Sequence, residues 1–455
     1  MEEKNKDCQA GGVDRRTFLK AAGMAGFTVA TIGFPAVLRG AAPKEILIGS
    51  IHPTTGPCAY DGTSVAQAVQ LAADLKNAAG GIKSMGGAKL KVLLKDTESK
   101  PKVGEGAAEK LIRDGCIALL GCYNSPVTLV TTKVAERKGI PHIITIAVAD
   151  EILQRGFKYT FRPQPDAMDM AEGTCKYARE LAERFNVDLR TVALMHIAGF
   201  GAVIANKVDK VAPQYGFEVI GKVSYGYGVS DLTTEIFKVK AMNADVIFDA
   251  GYLADGILKL KTYNDLKVEP KGGIIGCANG AYSNAAMVKE LGRLAEYIMD
   301  GNYSHNPRSS LARRVIAEYN KKYTKVVFQS HVAPTYNAAL VLIDALERAG
   351  TTDPVKLRDA IAKTSLKEHV MPGGPIEFDS TGQNSNALAT LEQVQKREVK
   401  LVLPKEYSNA EPVYPIPPWS AKTGGLMIQG REVKETFLPV SSGQGAPLIE
   451  GWYEG

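Results

Sequence analysis

From Lys44 onward, short apolar runs rich in β-branched residues alternate with longer stretches whose apolar positions recur every three to four residues. That alternation predicts strand–helix–strand units on parallel sheets. Strands are expected at Glu45–Ile51, Leu90–Lys95, Ile117–Gly121 and His142–Ala147, with helices over Ala66–Ala79, Gly104–Asp114 and Pro126–Lys138. The rhythm breaks at Arg162-Pro163-Gln164-Pro165 and restarts with helix Met168–Phe185, strand Thr191–His196, helix Gly201–Tyr215 and strand Glu218–Ser224. Helix Leu232–Met242, strand Asp245–Asp249, helix Asp255–Asn264 and strand Gly273–Cys277 complete it. Each series suffices for one doubly wound lobe with right-handed crossovers. Two amphipathic helices follow at Ser310–Tyr323 and Pro334–Ala349. The proline-rich run Glu411–Trp419 suits neither a helix nor a central strand, so an extended tail over the body is expected, with Ser441–Gly445 a candidate for disorder.

The first 42 residues do not share this pattern. Asp14-Arg15-Arg16-Thr17-Phe18-Leu19-Lys20 precedes a mildly apolar run from Ala21 to Leu38. Arg15 and Arg16 in this context resemble a twin-arginine export signal. The run is rich in Gly, Ala and Thr, too polar to rest stably in lipid. Gly40-Ala41-Ala42 offers small residues for cleavage, and no cysteine at that junction points to a lipid anchor. The mature chain is therefore expected to start near Pro43, in the periplasm, after passage through the twin-arginine translocase.

Without the leader, roughly 410 residues remain, enough for two to three domains. Apolar residues make up 45% and charged residues 23% of the chain, as in an ordinary globular protein. The net charge of +6 is small and evenly spread, which argues against nucleic acid or an anionic membrane surface as partner. Cys58, Cys116, Cys122, Cys175 and Cys277 form no CxxC pair. Cys116 and Cys122 flank one strand, roughly 20 Å apart and beyond disulfide reach, whereas Cys58 and Cys122 would meet if their loops adjoined. The six histidines show no metal-ligand spacing, and GxSxG, HExxH and Walker lysine motifs are absent. Gly199-Phe200-Gly201 lacks the third glycine and the acidic residue of a dinucleotide fingerprint. No cofactor and no catalysis are expected.

In open α/β sheets, ligands bind beyond the carboxyl ends of strands, where helix N-termini also point. The loop Cys122–Thr128 carries Tyr123, Asn124, Ser125 and Pro126. Ser125 beside a helix start is either part of a carboxylate site or merely a cap on its own helix. The loops Pro53–Tyr60 and Ile146–Asp150 complete that side, while Phe200 and Tyr252 stand after two strands of the second series, placed to clamp an apolar ligand body.

Several of these stretches carry a family resemblance. Ile46-Leu47-Ile48-Gly49 running to Thr55-Gly56-Pro57, Asn77–Ile82, Gly121–Ser125, Gly139-Ile140-Pro141, Gln154–Phe157 to Phe161-Arg162, and Gly374–Asp379 occur in order over roughly Lys44–Pro404. Together they are similar to the periplasmic solute-binding proteins of branched-chain amino-acid ABC importers. The resemblance implies two doubly wound parallel-sheet α/β lobes joined by three hinge crossovers, closing on ligand. Lobe 1 would hold residues 43–163 and 301–366, lobe 2 residues 164–300 and 367–405, with 406–455 as tail. An ABC permease and its ATPase are the implied partners; a sensory protein presenting ligand to a membrane receptor is the alternative, and an exported enzyme a third reading.

By position, Ser125 matches the family's carboxylate-binding serine, and Ala147 and Val148 fall in the loop holding the amino-acid head. Phe200 and Tyr252 match second-lobe aromatics near the ligand, and Asp166 an acidic residue near the hinge. Tyr60, Tyr123, Asn124 and Asn279 complete the expected ligand-binding set. Two departures alter the picture. Gly276-Cys277-Ala278-Asn279 stands where amino-acid binders place a carboxylate against the ligand ammonium, and Val148 where they offer a threonine hydroxyl. A buried ammonium without counter-charge costs several kcal/mol. Unless Asp166 or Asp249 substitutes, the expected ligand has a carboxylate or amide at one end and an apolar body, aliphatic or aromatic.

Overall fold

The computed structural model describes residues 43–422 and the strands 426–428 and 431–433. The twin-arginine motif and Ser441–Gly445 lie outside the described residues. The first sheet contains β1 (Glu45–His52), β2 (Lys89–Asp96), β3 (Leu119–Gly121), β4 (His142–Ile143) and β5 (Thr160–Phe161). All neighbours are parallel, in the order β2-β1-β3-β4-β5, with Ile48 opposite Val92. Helices α1 (Ala59–Ala78), α2 (Pro101–Arg113) and α3 (Ser125–Lys138) connect these strands.

The second lobe opens with α4 (Ala167–Arg184). Its parallel strands are β6 (Thr191–Ile197), β7 (Glu218–Tyr225), β8 (Val246–Ala250), β9 (Ile274–Cys277) and β10 (Met299–Asn302). They alternate with α5 (Phe200–Val211), α6 (Thr233–Ala241), α7 (Leu253–Asp265) and α8 (Ala285–Leu291). The chain then returns to the first lobe as α9 (Ser310–Lys322), α10 (Val332–Ala349) and α11 (Pro354–Ala362). Tyr319 of α9 donates its hydroxyl to the Ser64 carbonyl of α1. The two-residue pair β11 (Ser365–Leu366) and β12 (Ile376–Glu377) precedes a last crossing to β13 (Thr390–Gln395) and β14 (Glu398–Leu403). These two add antiparallel to β10, giving the order β14-β13-β10-β9-β8-β6-β7.

The chain thus passes between lobes three times. Two passages run side by side: the Arg162 N–H donates to Gly382 O, and the Asn384 N–H to Arg162 O. Arg162 is buried there, its guanidinium donating to Gln383 Oε1 at 2.6 Å and Ala149 O at 3.0 Å.

Both parallel sheets share one winding, so each reverses its strand order beside its first strand. Ligand crevices form at such reversals. In the first lobe they fall after β1 and β3, and in the second after β6 and β8. The loops Pro53–Cys58, Cys122–Asn124, Ala198–Gly199 and Gly251–Tyr252 therefore converge on one cleft.

The structure departs from the expected elements in places. Helix α1 begins at Ala59 rather than Ala66, because its first turn is polar but buried: Asp61 and Ser64 are inside, and a Cβ on Gly62 would collide with the Pro53 carbonyl. The strand expected over His142–Ala147 stops at Ile143, and the residues after it form the cleft loop. Strands β10 and β13 were not foreseen, since Asp300, Asn302, Glu392 and Gln393 hide buried strands behind polar letters. Cys58 and Cys122 form no bridge; all five described cysteines are free, buried thiols. Tail residues up to Lys422 lie on the second lobe, where buried Trp419 donates its indole N–H to Val268 O at 3.0 Å.

Candidate functional site

The cleft holds about 340 Å³ of space between the lobes, open solvent at its mouth included. Its first-lobe wall comes from Tyr123 and Ser125 at the start of α3, Ile146, Ala147 and Val148 after β4, and His331 before α10. Phe200, Gly251, Tyr252, Ala278, Gly280 and Tyr303 form the opposing wall. Six of the expected residues are thereby brought together: Tyr123, Ser125, Ala147, Val148, Phe200 and Tyr252.

Aromatic rings dominate this space. Tyr252 packs against Phe200 with centroids 4.7 Å apart and against Tyr227 at 5.5 Å. Tyr123 lies 6.0 Å from Tyr252 across the cleft and 5.4 Å from His331, which in turn meets Tyr303 edge-on at 5.6 Å. Offset and edge-on ring pairs of this kind contribute about 0.5–1.5 kcal/mol each beyond area burial. Glycine at 280 keeps the wall thin, since a Cβ there would come within 3.1 Å of the Tyr123 hydroxyl.

Two helix N-termini open on the cavity from opposite lobes. Helix α3 has Asn124 at its N-cap without a side-chain cap bond, and Pro126 in its first turn. Ser125 is already the first helical residue, and its hydroxyl accepts the Ala149 N–H at 3.4 Å instead of capping the helix. Helix α5 starts after Gly199, whose φ of 77° suits glycine and which supplies no side-chain cap. Uncapped first turns present free N–H groups and the positive end of the helix dipole. Helix α7 differs: Asp255 accepts the Tyr252 N–H at 3.1 Å and closes its end.

No Asp, Glu, Lys or Arg lines the cavity among the described residues. Behind the wall, Asp61 is fully buried and accepts the Tyr123 hydroxyl at 2.9 Å. Asp61 also accepts from Asn284 at 2.8 Å and Gln329 at 3.0 Å. Burial pushes the Asp61 carboxyl upward against the pull of these partners, and burial holds the His331 imidazole below its ordinary value although Asp61 raises it. Burial, then the Asp61 charge, likewise pushes the Tyr123 phenol well up. At neutral pH the lining therefore carries no cation.

The remaining expected residues stand outside the lining. Asn124 lies behind it, donating to the Tyr252 hydroxyl at 3.3 Å and to Cys58 Sγ at 3.5 Å. Tyr60 sits half-buried in the first turn of α1. Asp166 caps α4 by accepting the Asp169 N–H at 2.9 Å. Asn279 holds its own loop, accepting the Ala281 N–H and donating to Asp249. Asp249, considered above as a counter-charge for a ligand ammonium, is instead saturated in the second-lobe core: it pairs with buried Lys259 and accepts from Tyr263 and Tyr282. Tyr303, His331 and Gly280 were missed. His331 and Tyr303 lie in connections between lobes, away from the strand-end loops that motif reasoning searches.

A family profile described as periplasmic binding protein matches residues 45–398. Leu/Ile/Val-binding protein homolog 7 of Brucella suis is 26% identical over 384 residues, covering 81% of this chain and 93% of that protein. Homolog 8 of Brucella abortus is 28% identical over 373 residues, covering 80% and 91%. Among solved structures, the leucine binding protein LivK of Thermotoga maritima superposes with a TM-score of 0.68 at 21% identity, covering 78% of this chain and 97% of that one. A Rhodopseudomonas palustris ABC transporter solute binding protein in complex with benzoate gives 0.67 at 16% identity, covering 79% and 95%.

Proposed function

From the premise that the chain belongs to the periplasmic binding protein family, we propose that it captures a small carboxylate with an apolar, aromatic-sized body for delivery to an ABC importer. Capture of a solute between two lobes follows from the family; the ligand class is our reading. One observation carries it: the cavity is walled by aromatic rings and two uncapped helix N-termini, and no carboxylate among the described residues lines it. An α-amino acid brings an ammonium that needs a counter-charge. Here Asp61 is turned to Tyr123, Asn284 and Gln329, and Asp249 to Lys259. A carboxylate, by contrast, finds the Ser125 hydroxyl and free backbone N–H groups, which favour an anion.

Benzoate bound to the Rhodopseudomonas palustris relative and leucine-type ligands named for other relatives bracket the choice. The site chemistry favours the former class. We further propose that Arg15 and Arg16 direct export through the twin-arginine translocase, that the mature chain begins near Pro43, and that no lipid anchors it. A thermal-shift screen tests the ligand class, with mass spectrometry of whatever co-purifies with the native protein. Aromatic and short-chain carboxylates should stabilise the protein more than leucine or valine. A large stabilisation by leucine with none from the acids would refute the reading.

A further inference from the structure

We infer that His331 is a specificity-determining residue that hydrogen-bonds an uncharged polar substituent on the ring of the ligand, so that the site selects hydroxylated aromatic carboxylates over unsubstituted ones. This rests on the reading of the cavity as a carboxylate site.

His331 lines the cavity and is 3% exposed. Its Nδ1 is buried without a hydrogen-bond partner. A buried imidazole nitrogen left unpaired is destabilising, so a ligand group that pairs with it is selectively favoured. The ring packs against two tyrosines, Tyr123 at 5.4 Å and Tyr303 edge-on at 5.6 Å. It sits at the start of the 18-residue helix α10, which packs on the first lobe. Packed there, the ring has no partner for Nδ1: the Tyr123 hydroxyl is given to Asp61, the Gln329 amide nitrogen donates to Asp61 and Ser64, and Gln329 Oε1 is likewise buried without a partner. Burial keeps the imidazole neutral, so it offers one donor and one acceptor rather than a charge. A hydroxyl can use either; a hydrocarbon edge can use neither. The carboxylate end and the hydroxyl end are thus read by different elements, the α3 start with Ser125 and the α10 start with His331, with Tyr123 between them.

A site built to hydrogen-bond a hydroxyl rejects the analogue lacking it more strongly than an apolar pocket rejects an added group. Calorimetric titration of the mature chain and of H331F with benzoate, 3-hydroxybenzoate and 4-hydroxybenzoate tests the inference. In the parent protein one hydroxybenzoate should bind about tenfold or more tighter than benzoate. H331F keeps an aromatic ring between Tyr123 and Tyr303 and should lose that ratio while retaining benzoate binding. H331Q, which restores a donor and an acceptor, should recover part of it. Equal binding of the three acids by the parent protein, or a ratio that survives in H331F, would overturn the role of His331 and leave the carboxylate reading intact. Binding of none of the three would overturn that reading and this inference with it. Should H331F fold poorly, an unchanged ratio in H331Q and in H331L would likewise overturn the role.

Discussion

Asp61 of the first lobe accepts a 2.8 Å hydrogen bond from the side-chain amide of Asn284 in the second, and both residues are buried. Tyr123 and Gln329 complete the carboxylate's shell. The bond exists only while the lobes meet, so it biases the closed arrangement that ligand capture requires. Replacement of Asn284 by Ser leaves an oxygen to cap α8 but none long enough to reach Asp61. A buried hydrogen bond to a charged group contributes about 1.5–3 kcal/mol. N284S should therefore bind its ligand roughly 10–100-fold more weakly, with a larger radius of gyration by X-ray scattering at sub-saturating ligand. Unchanged affinity would show that closure does not depend on this contact.

Ser125 stands at the uncapped start of α3 with its hydroxyl on the cavity wall. S125A removes one donor from a bound carboxylate and little else, because among the described residues the hydroxyl's hydrogen bond is the long one from the Ala149 N–H. Calorimetry should show about a tenfold or greater loss for a carboxylate ligand and a smaller loss for the corresponding amide. Thermal stability of the empty protein should hardly move. Equal losses for acid and amide would mean that Ser125 does not read the charge.

How far the site could be read in the sequence depends on where its residues lie. Ser125, Phe200 and Tyr252 follow strands β3, β6 and β8, and the strand-end rule reaches such positions from periodicity alone. Phe200 and Ser125 each open a helix, so their places follow from helix starts that Gly199 and Pro126 mark. His331 and Tyr303 lie in passages between lobes, which have no periodic signal, and only the packing of α10 and β10 brings them to the cleft. The fold showed the same limit. Strands β6 and β8 are apolar and were legible. Strands β10 and β13 bury Asp300, Asn302 and Glu392 through side-chain hydrogen bonds, and a hydropathy pattern cannot distinguish a satisfied buried carboxyl from a solvated one.

The tail offers a test away from the cleft. Trp419 is 4% exposed, its indole N–H bound to Val268 O and its backbone N–H to Glu269. Truncating a buried Trp to Ala costs about 3–5 kcal/mol when the site cannot collapse. W419A should lose stability of that order in chemical denaturation while ligand affinity stays unchanged, since the contact lies on the outer side of the second lobe. A matching fall in affinity would tie the tail to closure.

Glu392 links a crossover to the second sheet and should contribute stability that is lost as pH rises past neutral. Its carboxyl accepts from Ser304 at 2.6 Å and from Ser330 at 2.8 Å. Burial pushes it up to about 8, with the nearby Asp300 adding to the shift and the serine hydroxyls opposing it. Burial pushes Asp300 itself to about 7. A carboxyl whose folded value lies above its unfolded one binds its proton more tightly when folded. Its contribution is complete below the unfolded value and is lost as pH rises to the folded one. Asp300 has finished by about 7, so of these two carboxyls only Glu392 acts from 7 to 8, opposed by Lys422, which burial holds down to about 7 and which adds stability as pH rises above that. His52 and His142, held down to about 3 by burial, act in the opposite sense and only below about 6.5. One proton taken up by the folded state alone changes stability by about 1.4 kcal/mol per pH unit. Measured against E392Q, which cannot ionise there, the denaturation midpoint of the parent protein should therefore fall as pH rises from 7 to 8, the difference removing the opposing contribution of Lys422. Parallel profiles would place the Glu392 proton elsewhere and remove the link between this crossover and pH.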